Sequence, residues 1–72
     1  MSRPEDLEEL AAEADALAER AADRALDLLR AAMSTGPKGP EATAEKVVTR
    51  ARRSLEKAAV LLRSVDLDAE RT

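Results

Sequence analysis

From Leu7 to Met33 the chain sorts its residues by helical period, apolar on one side and charged on the other. At 100° per residue, Leu7, Leu10, Ala11, Ala14, Leu17, Ala18, Ala21, Ala22, Ala25, Leu28, Leu29 and Ala32 share a face. Leu26 and Met33 widen it to about half the circumference, more than one partner helix can cover. No Gly, Pro or β-branched residue interrupts the stretch, and Ala, Leu, Glu and Arg are strong helix formers. Two rhythms are superimposed. Leu7, Leu10, Ala14, Leu17, Ala21 and Leu28 follow a heptad that Arg24 breaks, whereas Ala14, Ala18, Ala21, Ala25, Leu29 and Ala32 drift at about 3.67 residues per turn. The mixture predicts a nearly straight helix packed through small residues, with no long left-handed supercoil.

A second amphipathic segment follows. Ala44, Val47, Val48, Ala51, Leu55, Ala58, Ala59, Leu61, Leu62 and Val65 cluster on one face, and Val60 falls outside it. Between the two lies Ser34-Thr35-Gly36-Pro37-Lys38-Gly39-Pro40, the only strong punctuation in the chain. Gly36 suits the left-handed position that ends a helix, with Pro37 behind it to prevent continuation. Gly39 suits an N-cap and Pro40 the first helical position. At the start of the chain Ser2-Arg3-Pro4-Glu5 fits a capping box, and Glu5, Asp6, Glu8 and Glu9 complement the positive end of the helix dipole. The expected elements are a helix over about 3–34, a turn over about 35–39, a helix over about 40–65 and a frayed acidic tail, 66–72. So short a connection predicts an antiparallel hairpin, a single all-α domain.

Charge supports that topology. Residues 1–33 carry nine acids and four bases, and residues 34–72 six acids and eight bases. An antiparallel hairpin sets the acidic start of the first helix against the basic end of the second, and places Glu13 and Glu19 near Lys57 and Arg63. Each such exposed pair contributes only about 0–1 kcal/mol, so the effect is on topology more than on stability.

Composition limits what such a hairpin does alone. Of 32 apolar residues in the 72, 16 are Ala, and there is no Cys for a disulfide. Domains this small need a staple, idealised helix packing or a partner chain. Half-circumference faces on both helices leave apolar surface over after the helices pack, which points to self-association. The longest apolar run, Ala58-Ala59-Val60-Leu61-Leu62, is far short of a membrane span. The acidic start without an apolar core is no secretory signal, so a soluble, cytoplasmic chain is expected.

Candidate chemistry is sparse. Without Cys, His or Tyr, the residues Ser34, Ser54 and Ser64 have no evident activating base, and no enzymatic activity is expected. The Gly, Lys and hydroxyl residues near the turn are in the wrong order for a phosphate loop. Glu9/Glu13, Asp15/Glu19 and Asp23/Asp27 have helical spacing but lack the His of a di-metal bundle, so no metal or other cofactor is expected. Arg50, Arg52, Arg53, Lys57 and Arg63 make a modest basic stretch. The net charge of −3 and the absence of aromatics argue against nucleic acid, and an Ala-rich face without Trp or Phe against membrane surfaces.

Eight residue types never occur: Cys, Phe, His, Ile, Asn, Gln, Trp and Tyr. This restricted alphabet of helix formers with explicit caps is what design by rule produces. The segment Pro4-Glu5-Asp6-Leu7-Glu8-Glu9-Leu10-Ala11-Ala12-Glu13-Ala14 and the linker Gly36-Pro37-Lys38-Gly39-Pro40-Glu41-Ala42 resemble de novo designed helical bundle proteins, in style across the whole chain and not by a homologous motif. The resemblance implies a symmetric homo-oligomer without enzymatic activity. The sequence therefore predicts a hairpin that self-associates into a four-helix or larger bundle, with a two-fold dimer favoured. Leu7, Leu10, Ala14, Leu17, Ala21, Leu28, Leu29, Val47, Leu55, Leu61 and Leu62 are its expected core and interface, with Leu17, Leu28, Leu55 and Leu62 in the central layers. The alternative is a module that docks its Ala/Leu face on a different protein.

Overall fold

Two helices joined by a tight turn account for the described residues, 4–65, of a computed structural model. Helix α1 spans Pro4–Thr35 and helix α2 spans Pro40–Arg63, with no strand among these residues. They run antiparallel: Ala11 and Ala14 near the start of α1 pack against Ala59 near the end of α2. The expected fold is the one observed, an all-α helical hairpin. The proposed capping box at Ser2 and the tail 66–72 lie outside the described residues.

The turn works by local stereochemistry. Gly36 adopts φ +93°, and its N–H donates to the Ala32 carbonyl at 2.7 Å, ending α1 with a left-handed cap. The alternative Schellman closure needs an N–H on the next residue, and Pro37 has none. Gly39 N–H then donates to the Gly36 carbonyl at 3.2 Å, closing a four-residue turn with Pro37 in its favoured second position. A side chain at Gly39 would meet the Thr35 carbonyl oxygen and side chain at 3.2–3.3 Å, so the chain folds back tightly on the end of α1. Pro40 is the first helical residue, and the Gly39 carbonyl accepts the first helical hydrogen bond, from the Thr43 N–H at 3.2 Å. Helix α2 ends two residues before its expected limit. Ser64 caps it, the backbone N–H donating to the Val60 and Leu61 carbonyls and the hydroxyl to Leu61.

Between the helices the packing is alanine. Ala11, Ala14, Ala18, Ala25 and Ala59 are buried, and no larger side chain among the described residues is. Small side chains let two helix backbones approach closely, and the long side chains then splay to either side of the line of contact. Of the expected core, only Ala14 is buried within one hairpin. Leu7, Ala21, Leu28, Leu55 and Leu62 are half-buried, and Leu10, Leu17, Leu29, Val47 and Leu61 are exposed. Alanine occupies the centre of the contact between the helices and leucine its flank, with Leu62 packed partly buried against Ala11, Ala14 and Ala59.

The result is a rod, 57 × 17 × 14 Å, with a radius of gyration of 16.7 Å. A compact domain of this length has a radius of gyration of about 11 Å. The accessible surface is 5715 Å², against about 4,300 Å² for a compact monomer of this mass.

Candidate association interface

The two helices present two long faces, one on either side of the line where they meet. On the first, Leu10 and Leu17 of α1 lie beside Val47, Leu61 and Val65 of α2, all exposed. The half-buried Leu28, Leu55 and Leu62 and the smaller Ala51 and Ala58 fall between them on the same side of the wheel. A groove along this face is lined by Leu17, Ala21, Val48 and Leu55 and, on its outer side, by Arg20, Asp23, Arg24 and Asp27. At 1.5 Å per residue the apolar strip runs about 30 Å. Arg24, in the row that continues Leu10 and Leu17, interrupts it and lies 3.9 Å from Asp27, both exposed.

The opposite face changes character along its length. At the open end Arg63 reaches across from α2 to two acids of α1. Its Nε donates to Glu8 at 2.8 and 3.2 Å, and its Nη1 to Asp15 at 2.7 Å. Hydrogen bonds to Asp15 and then Glu8 raise the guanidinium pKa above its ordinary value. A shallow groove lined by Asp15, Ala18, Glu19, Ala22, Arg52 and Glu56 continues this polar half. Toward the turn the face becomes apolar, with Leu26, Leu29 and Met33 exposed.

The expected ion pairs are redrawn by this geometry. Arg63 pairs with Glu8 and Asp15, not with Glu13 or Glu19. Glu8 and Asp15 are seven residues apart and stand on the edge of α1 beside α2, whereas the wheel turns Glu13 to the outer side. Glu19 lines the groove with Arg52. The seven-residue spacing of Glu8 and Asp15 was the signal in the sequence, masked there by the general acidity of the segment.

Among the described residues no group of three or more His, Cys, Asp or Glu could hold a metal ion. One carboxylate oxygen of Glu41, in the first turn of α2, is buried without a hydrogen-bond partner. No described helix is long and apolar enough to cross a membrane. Comparison with family models, with curated proteins and with solved structures returns no match.

Proposed function

We propose that this chain is a structural, self-associating helical protein without catalytic activity, in which two hairpins pair through the Leu10–Leu17–Val47–Leu61–Val65 face as a four-helix bundle. The observation that carries the reading is the inversion of the usual burial order: alanines are inside, and Leu10, Leu17, Val47, Leu61 and Val65 stand outside along one face, in a strip that only Arg24 interrupts. Soluble monomers rarely leave a contiguous apolar face of this kind uncovered. A second copy supplies a matching strip, and a two-fold pairing covers both at once. The restricted alphabet and explicit caps fit the same reading, with the sequence a designed one.

A second reading rests on Arg50 and Lys57, exposed along the α2 edge of the strip. They suit a different protein that offers an amphipathic helix with an acidic border.

The test is solution mass by light scattering, read by refractive index because the chain has no Phe, Trp or Tyr. A mass no lower than twice the chain's 7.7 kDa across a hundredfold dilution is the expected result. Leu17→Asp is expected to remove assembly and most helicity together. A wild-type chain that stays single and fully helical would overturn self-association and move the search to the second reading.

A further inference from the structure

Pairing through the long face leaves one apolar region untouched. Leu26, Leu29 and Met33 lie on the reverse face at the turn end, and Met33 is 84% exposed. Leu29 and Met33 form a groove with Ala32, Gly36, Pro37 and Ala42, bordered by Glu45 and Lys46. Because this patch points away from the long strip, no single partner hairpin can cover both. We infer that the turn-end patch is a second self-contact, through which bundles of two hairpins join into assemblies of four chains; the inference rests on the pairing proposed above.

Charge favours another copy of this chain as the occupant. Glu45 and Lys46 border the patch and Arg30 is exposed beside it on α1. A two-fold contact of the patch with itself sets the bases of one copy against Glu45 of the other, so the border is self-complementary without a foreign partner. A smaller contact also implies an order of assembly: pairs form first, and fours appear only as concentration rises.

Sedimentation velocity on wild type, Met33→Glu, Leu61→Glu and the double variant tests this over a wide concentration range. Met33 lies off the long strip and is exposed, so helicity is expected to survive Met33→Glu, and circular dichroism on each variant reads helicity beside its mass. Wild type is expected to move from two chains to four, and Met33→Glu to stop at two. Leu61→Glu is expected to weaken the first contact and leave a pairing that the added Met33→Glu abolishes. A wild type that never exceeds two chains, or a Met33→Glu variant that still reaches four, overturns this inference and leaves the long-face pairing standing. Four-chain assembly abolished by Met33→Glu but indifferent to Leu61→Glu would instead overturn the long-face pairing. A single-chain mass at every concentration overturns both.

Discussion

Leu17→Ala separates a hairpin that is stable alone from one that depends on a second copy. Leu17 is 47% exposed in the single chain, so the hairpin draws on about half of what a fully buried leucine contributes. Full burial of a leucine is worth about 1.5–3 kcal/mol, so truncation costs an isolated hairpin about 1 kcal/mol. In a two-fold pair the exposed half is covered as well, once in each copy. Losing both exposed halves weakens pairing by a further ~2 kcal/mol, about a 30-fold increase in the dimer dissociation constant. The assay is thermal unfolding followed by circular dichroism at two concentrations a hundredfold apart, beside sedimentation equilibrium. If pairing holds, wild type melts higher at the greater concentration, and Leu17→Ala at that concentration resembles a diluted wild type. A concentration-independent melt, with the variant about 1 kcal/mol less stable throughout and the dissociation step missing, would refute the reasoning.

Ala59 is 1% exposed against Ala11 and Ala14, and Ala59→Leu should cost about 1–3 kcal/mol by forcing the helices apart. Urea denaturation measures this, with the exposed Ala12→Leu as control; an unchanged midpoint would show that the alanine contact does not hold the helices together. Gly36→Ala is expected to cost about 1–2 kcal/mol, because φ +93° is strained for any side chain, and Gly36→Asn less, since Asn tolerates that conformation; a melt of each variant reads the order directly. Stability should be flat between pH 6 and 9, since the chain has no His or Cys to titrate there. The raised Arg63 pKa keeps its contribution present below the unfolded guanidinium value, to be lost only in strong alkali. A midpoint that shifts markedly between pH 6 and 9 would argue against this account.

The fold was legible where local chemistry acts alone. Gly36, Pro37, Gly39 and Pro40 specify the turn through backbone conformation and a missing N–H, terms that need no tertiary contact. The uninterrupted helix formers specify α1 in the same way. What a wheel cannot give is which part of a broad apolar face becomes the centre of contact. In α1 leucine and alanine share the face, and side-chain size ranks leucine first as core. Backbone approach reverses the ranking: a line of Ala11, Ala14, Ala18 and Ala25 admits α2 closely, and Leu10 and Leu17 are left on the flank. The same difficulty hid the partners of Arg63, since seven acids precede Arg20 and only the helix crossing selects Glu8 and Asp15.

That reversal connects folding to assembly. A buried alanine methyl contributes about 0.8 kcal/mol, whereas a buried leucine contributes about 1.5–3 kcal/mol. The buried centre of the contact inside one hairpin therefore draws on the weaker apolar residues, with Leu62 packed partly buried against it. Leu10, Leu17, Leu61 and their neighbours keep much of their apolar surface exposed, and the proposed pairing is where it would be buried. In that proposal the alanine contact sets which way the helices cross, and the leucine strip supplies strength, its fit depending on a hairpin already shaped by the alanines. Placing the two on different faces makes the strength available only once the shape is right.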